Sequence, residues 1–367
     1  MMIPSLNGIR ALAFGLVFLS HAGLEHLVPG RFGVMVFFVL SGYLITTLLL
    51  REQEKTGRIA LRNFYLRRIL RLMPPLVVVL ALIWLLHLSG LTQRDYDPMA
   101  FVSYLAYFGN YFIIAAEFEG VPIGTGVLWS LAVEEHFYLL YPLLFVSLIV
   151  PASRNQRIGL LIGLCLVALV WRAVLLGLMD ASTLYLESAT DTRFDSLLFG
   201  CLLAVGWNPM APTARDPGFV PGLLLGGLCL LVLGASFFVG TRWFDEVLRP
   251  TVHGLALAPL FYLSILHADK GPYRWLNSRL LNYLGLISYS LYLCHEALIG
   301  LLNEYLKADY GELVTAPVAL LLAIALSDLI RRWVEDPFAA VRRRLSAVPT
   351  ATTHLAESAE PEVASAR

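Results

Sequence analysis

The chain has 367 residues, of which 58% are hydrophobic and only 15% are charged. Soluble domains carry about one quarter charged residues, so this composition excludes a soluble globular protein and indicates a polytopic, all-α integral membrane protein. The formal net charge of +0 excludes a global attraction to nucleic acid.

Uncharged or nearly uncharged runs predict about ten transmembrane helices. The uncharged stretch 99–116 is interpreted as one re-entrant or interfacial helix. Counting it as a span would move every later loop to the opposite side of the membrane and place the basic loops outside. The sixth span is short and is expected to be tilted or incomplete. The predicted spans are 6–26, 32–50, 73–92, 127–150, 158–178, 194–208, 218–240, 250–268, 281–303 and 313–332.

The first span contains two ionisable residues, Arg10 and His21. Eleven residues at 100° each return to within about 20° of the starting direction, so the two side chains share one helix face, roughly 16 Å apart along the axis. Ionisable groups inside a span normally face a protein interior or a wet cavity and mark a functional site. We therefore expect a site along this face.

The connection between the second and third spans orients the chain. Residues 51–71 contain seven Arg or Lys residues and only two acidic ones. Positively charged loops stay in the cytoplasm, so both termini are expected there. Residues 1–346 are predicted to form the membrane domain and 347–367 a disordered cytoplasmic tail, with no signal peptide before the first span and no further domain after the last.

Three arginines of this connection, Arg67, Arg68 and Arg71, lie on a predicted helix, FYLRRILRLMPP, that Pro74 and Pro75 are expected to end. Their i,i+3 and i,i+4 spacing brings the guanidinium groups together, as a phosphate-rich ligand requires. The alternative is that these charges only set the topology or contact anionic lipid. The sequence leaves both interpretations open.

The fourth span carries adjacent carboxylates, Glu134 and Glu135, with Ser130 one turn before Glu134. The predicted topology gives these carboxylates the same depth as His21. A carboxylate bound to one imidazole nitrogen fixes the tautomer and leaves the other nitrogen as a general base. A polar cluster that only joins helices is the equally weighted alternative.

Further polar residues follow in the fifth and sixth spans. Asp191, Arg193 and Asp195 form a compact group at the outer end of the sixth span, where they could contact a substrate or form a local ion pair. Arg172 of the fifth span could pair with this group or extend its guanidinium group to the membrane–water interface. The two interpretations are evenly balanced.

His295 and Glu296 interrupt the ninth span near the middle of the membrane. Their depth favours a functional lining, and a helix–helix hydrogen bond is the alternative. The four cysteines lie in apolar stretches without C-x-x-C spacing, which predicts reduced thiols and no metal site.

Seven segments, in order from about residue 4 to residue 338, resemble the membrane acyltransferase family 3. These integral-membrane O-acyltransferases modify surface polysaccharides and some secondary metabolites. Each segment alone is a weak signal, whereas seven in order are specific. The segments are NGIRALAFGLVFLSH, GVMVFFVLSGYLI, RRILRLMPP, LWSLAVEEHFYLLYP, TRFDSLLFG, LGLISYSLYLCHEAL and VEDPF.

The resemblance implies an acyl-CoA donor, usually acetyl-CoA, that acts as a substrate and not as a permanently bound cofactor. It implies transfer to a hydroxyl of a glycan, a lipid-linked glycan or a metabolite, at a bacterial-type inner membrane. It also implies that His21 is catalytic and that Arg10, Arg68 and Arg71 serve activity or donor binding.

Together these features predict an O-acyltransferase in which His21, oriented by Glu134 or Glu135, removes the acceptor hydroxyl proton. Direct transfer and an acyl-histidine relay both fit, and the oligomeric state is open. A transporter or flippase for a lipid-linked sugar is the alternative, although the two halves show no inverted repeat. The donor site is expected to hold Arg10, Arg67, Arg68 and Arg71, and the acceptor site Ser130, Arg172, Asp191, Arg193, Asp195 and His295.

Overall fold

The computed structural model describes residues 3–92 and 96–346, which are helical and contain no strand. The predicted all-α class is confirmed for these ranges, whereas the predicted tail, 347–367, lies outside them. The helices are α1 Leu6–Leu19, α2 Gly30–Thr56, α3 Leu61–Leu88, α4 Pro98–Leu105, α5 Gly109–Ala116, α6 Trp129–Leu144, α7 Arg154–Met179, α8 Thr183–Ser188, α9 Thr190–Gly206, α10 Phe219–Ser236, α11 Arg249–Leu266, α12 Arg279–Leu286, α13 Ser288–Tyr310, α14 Glu312–Ile330 and α15 Asp336–Ser346.

Fewer helices than the predicted ten are long and apolar enough to span a membrane in the described ranges. Within the described ranges, 7 helical segments are long and apolar enough to cross a membrane, and up to 9 if each of two bent helix pairs counts as one span. The count of about ten is therefore not confirmed. The short sixth span corresponds to α9, which has 17 residues. The ninth is divided into α12 and α13, whose axes differ by 73°.

The uncharged stretch 99–116 forms the two short helices α4 and α5, of 8 residues each. The Asp97 carboxylate accepts a hydrogen bond from the Met99 N–H and so caps α4. Tyr107, with φ of 58°, separates the two helices. Each is only about 12 Å long, so neither crosses a bilayer, as predicted for this stretch.

Helix α3 continues through Pro74 and Pro75 and has 28 residues, so the prediction that these prolines end the helix is wrong. Proline removes backbone hydrogen bonds, but neighbouring helices in a membrane protein can bond the carbonyls near it. Here the Tyr289 hydroxyl of α13 donates to the Leu72 carbonyl at 2.7 Å. The arginine-bearing end of α3 is therefore continuous with its apolar part.

Helix α1 packs against α2, α12 and α13. Two glycines allow its first turn to approach its neighbours closely. A Cβ at Gly8 would lie 2.1 Å from the Leu276 carbonyl oxygen, and one at Gly285 would lie 2.0 Å from the Asn7 carbonyl oxygen. These contacts hold the start of α1 against α12 and against the helical turn Gly271–Asn277 that precedes it.

Candidate active site

His21 lies where the first helical segment ends. The segment continues beyond α1 through a wide turn, Ser20–Leu24, which is interrupted at Gly23 with φ of 92° and ψ of 6°. Only glycine adopts this conformation without strain, and a Cβ there would lie 2.1 Å from an Oε atom of Glu312. The chain therefore turns away directly after His21, whose side chain stays exposed.

His21 is paired with His295 of α13, which is fully buried. Their atoms Nδ1 and Nε2, respectively, are 3.0 Å apart, and the rings stack with centroids 5.3 Å apart. His295 Nδ1 lies 2.9 Å from the Tyr292 carbonyl oxygen. The edge of the His295 ring also meets the Phe14 ring, at 5.6 Å between centroids. The position of His295 is thus fixed by both polar and apolar contacts.

These contacts determine where the protons lie in the neutral pair. A carbonyl oxygen can only accept, so His295 carries its proton on Nδ1 and presents a lone pair at Nε2. His21 Nδ1–H must then donate to that nitrogen. His21 Nε2 is left with its lone pair, as a general base requires, without any carboxylate in the relay.

His21 opens onto a cavity of about 580 Å³, which we call the His21 cavity. The Glu296 carboxylate accepts from the Val127 N–H at 3.2 Å, and the Asn303 amide oxygen accepts from the Thr315 hydroxyl at 2.9 Å. The lining is mainly polar on the α13 side. The residues that line the cavity are His21, Ile123, Gly124, Glu296, Ile299, Gly300, Asn303 and Glu304.

A second cavity, which we call the arginine cavity, lies towards the other end of α1 and includes Arg10. Its Glu134 carboxylate accepts from the hydroxyls of Ser41 and Tyr138. The Arg68 guanidinium lies over the Tyr138 ring, 4.9 Å from its centroid. The polar residues that line it are Arg10, Ser41, Arg68, Arg71, Ser130, Glu134, Tyr138, Ser288, Tyr289, Tyr292 and Glu335.

The expected pairing of His21 with Glu134 or Glu135 is not formed. In the segment that carries both glutamates, it is Val127 that lies near His21, because its N–H donates to the Glu296 carboxylate of the His21 cavity. Glu134 follows seven residues later and is therefore roughly 10 Å deeper. It lies at the level of Arg10, while Glu135 is half-buried beside it with an Oε atom that lacks a hydrogen-bond partner.

Ser130 and Tyr292 link the wall of the arginine cavity to His295. Their hydroxyl oxygens are 2.7 Å apart, and Tyr292 also bonds to the Val127 carbonyl at 3.1 Å. Tyr292 lines the arginine cavity, whereas its own carbonyl holds His295. Ser130, expected to contact the acceptor, lines the arginine cavity and not the His21 cavity. Sequence reasoning missed Tyr292, although it precedes His295 by one helical turn.

Arg67 does not join the other arginines. Its guanidinium forms an ion pair with Glu52 of α2 at 3.1 Å, and Glu52 also accepts from the Ala60 N–H at 2.9 Å. Arg67 is not among the residues that line the arginine cavity. One position along a helix turns the side chain by about 100°, which separates Arg67 from Arg68. The expected convergence of Arg67 with Arg68 and Arg71 is therefore not formed, and Arg67 instead joins α3 to α2.

Arg172 and Asp195 form a fully buried ion pair at 2.8 Å. Arg172 also donates to the carbonyls of Thr192 and Val247, at 2.7 and 3.2 Å. The pairing interpretation of Arg172 is therefore correct. Neither residue lines the His21 cavity or the arginine cavity; their ion pair joins α7 to α9, and Arg172 also donates to the Thr251 hydroxyl of α11.

Asp191 and Arg193 also lie away from both cavities. The Asp191 carboxylate accepts from the Trp171 indole at 2.7 Å and from the Tyr185 hydroxyl at 3.1 Å. Arg193 has a buried Nε without a hydrogen-bond partner. The structure thus brings together Arg10, Arg68, Arg71 and Glu134, and separately His21 and His295, but not this outer group.

Comparison with known proteins places this architecture in a family. Residues 3–332 match a family model described as an acyltransferase domain. The curated protein named "Putative O-acetyltransferase SACOL0978", from Staphylococcus aureus strain COL, is 31% identical over 357 residues, which are 92% of this chain. The peptidoglycan O-acetyltransferase OatA of Listeria monocytogenes is 30% identical over 356 residues, 91% of this chain.

The O-acetyltransferase OatA of Staphylococcus aureus strain NCTC 8325 is 31% identical over 350 residues. The matches cover only 55–57% of these three relatives, so the chain spans just over half their length. No solved structure matches the chain. The family model nevertheless covers nearly all of the helical region, and the chain belongs to the acyltransferase domain family, as the resemblance of its seven segments predicted.

Proposed function

We propose that this protein is an integral-membrane O-acyltransferase that moves an acyl group, with acetyl as the expected case, from acyl-CoA to an acceptor hydroxyl. The observation that carries the proposal is the placement of His21 and Arg10 on one helix, each in its own cavity. The names of the relatives support O-acetyl transfer.

The arginine cavity is the proposed donor site. Three guanidinium groups, from Arg10, Arg68 and Arg71, line one cavity. Such groups bind phosphate oxygens by paired, charge-assisted hydrogen bonds. The basic connection that precedes this part of α3 predicts a cytoplasmic position, where acyl-CoA is available. Glu134 and Glu335 line the same cavity and offset the arginine charge in the absence of donor.

The acyl arm must extend from the phosphates towards His21. Arg10 and His21 are separated by roughly 16 Å along α1. The hydrogen-bonded pair of Ser130 and Tyr292 lines the arginine cavity, and Tyr292 leads to His295, so we place the arm beside this pair. This arrangement would keep the phosphates of the donor in the arginine cavity and deliver the thioester to the His21 cavity.

In the chemical step, His21 Nε2 accepts the proton of the acceptor hydroxyl while the oxygen attacks the thioester carbonyl. The new ester C–O bond forms, the C–S bond breaks, and the CoA thiolate leaves and takes up the proton. His295 Nε2 accepts from His21 Nδ1–H and so stabilises the imidazolium. An acyl-histidine relay would use the same nitrogen as the nucleophile.

The test is a matched pair of full-length variants, His21→Ala and His26→Ala, reconstituted in nanodiscs with acetyl-CoA and candidate hydroxyl acceptors. His26 lies five residues further and its side chain is 87% exposed, so its loss should leave transfer unchanged. His21→Ala should abolish it. Normal turnover by a folded His21→Ala protein would refute the proposal, and sugar-lipid flux without acyl-CoA consumption would favour a transporter.

A further inference from the structure

The two cavities differ in the sign of the charge on their walls. The arginine cavity has three arginines, whereas the described residues that line the His21 cavity include Glu296 and Glu304 and no arginine or lysine. Carboxylate and amide oxygens accept hydrogen bonds from hydroxyl groups. An anion at this position would instead meet the negative charge of the Glu296 carboxylate.

The acidic side of the His21 cavity is formed by one face of α13. Glu296, Gly300 and Asn303 are spaced i, i+4 and i+7, so they lie on one helix face. Gly300 has no side chain and leaves room between the two polar groups. Hydrogen bonds from Val127 and Thr315 hold the Glu296 carboxylate and the Asn303 amide, respectively. This wall is therefore ordered without a ligand.

We propose that the His21 cavity is the acceptor subsite, and that Glu296 and Glu304 select an acceptor unit that carries hydroxyl groups and no negative charge. The proposal rests on the proposed function for the identity of the acceptor. The charge selectivity itself depends only on the cavity. The His21 cavity takes the place of the acceptor site expected at Asp191, Arg193 and Asp195, because these three residues lie away from His21.

The charge selectivity of the cavity is tested by placing a thiol at position 21, in place of the proposed general base. In full-length His21→Cys protein, the four native cysteines are buried, so the new thiol is the accessible one among the described residues. Its reaction rates with a cationic and an anionic methanethiosulfonate are measured and divided by the rates of a free thiol. The normalised ratio should favour the cationic reagent by roughly tenfold or more.

Matched variants in the His21→Cys background identify the source of that ratio. Glu296→Gln and Glu304→Gln should each lower it severalfold. Asp309→Asn removes a carboxylate from the same helix, outside the cavity, and should leave the ratio unchanged. A ratio near one, or a ratio that neither glutamine variant lowers, would overturn the proposal.

The acceptor role is tested with the unaltered histidine. Acetyl transfer to a methyl glucoside and to the corresponding glucuronide is followed by mass spectrometry, with release of CoA as a separate readout. The rate of acetyl transfer to the glucoside should exceed the rate to the glucuronide by tenfold or more. The Glu296→Gln substitution should lower this ratio of rates. Equal transfer would overturn the selectivity, whereas a charge-selective cavity without any CoA release would refute the proposed function and leave the cavity's selectivity standing.

Discussion

Replacing His295 by Phe tests the relay that orients His21. Phe retains a flat ring among Phe14 and Phe18, which contact His295 at 5.6 and 6.4 Å between ring centroids. It removes the Nε2 acceptor 3.0 Å from His21 Nδ1 and the bond to the Tyr292 carbonyl. His21 then loses both the selection of its tautomer and the partner that stabilises its protonated form.

The expected loss follows from the hydrogen bond that is removed. A hydrogen bond to a charged group contributes about 1.5–3 kcal/mol. In the proposed mechanism His21 becomes charged as it takes the acceptor proton, so that contribution would be made in the transition state. It corresponds to a decrease in kcat of roughly 10- to 150-fold. The His295→Gln variant restores an amide oxygen as acceptor and should recover part of this loss.

The assay compares kcat and KM for acetyl-CoA in the two variants and in the unaltered protein. The donor phosphates are expected at the arginine cavity, which does not include His295, so KM should change little. A rise in KM with kcat unchanged would refute the reasoning. Equal losses of kcat in the Phe and Gln variants would also refute it. Only Gln offers a hydrogen-bond acceptor to His21, so equal losses would mean that His295 acts through packing alone.

Three further substitutions test other parts of the site. Arg71→Ala should raise KM for acetyl-CoA by roughly 10-fold or more, while Arg67→Ala, outside the cavity, should change it less than twofold; equal effects would place both arginines at the donor. Gly23→Ala should lower kcat and cost roughly 1–3 kcal/mol by strain at φ of 92°, measured by activity and thermal unfolding in nanodiscs. Asp195→Asn should destabilise the fold by about 3–5 kcal/mol because it leaves Arg172 buried without its counter-charge, and an unchanged melting temperature would contradict this.

Local helix geometry explains why part of the site was predictable. The spacing of Arg10 and His21 indicates a shared face, and both side chains line cavities beside α1. The i,i+3 spacing of Arg68 and Arg71 likewise indicates convergence on one cavity. These inferences hold because they use the helical repeat within one segment, which does not depend on the rest of the fold.

Contacts between segments were not predictable in the same way. His21 and His295 are 274 residues apart, and their contact depends on how α13 crosses the first helix. His21 and Glu134 do not share a depth, because His21 lies at the end of its helical segment, at the level of Val127, and Glu134 follows Val127 by seven residues. Arg67 was assigned to the ligand because the sequence does not show that Glu52 folds back to reach it.

A pair of neutral histidines is a physically sensible base for this position. A carboxylate in place of His295 would put a full charge at a fully buried position, which is costly away from water. In the proposed mechanism, the acceptor proton brings a positive charge to His21 at the edge of a cavity that Glu296 and Glu304 line. The same carboxylates that would repel an anionic acceptor therefore stabilise the charge that develops on His21. On this argument, neutralising them should slow transfer to a neutral acceptor as well as relax its selectivity.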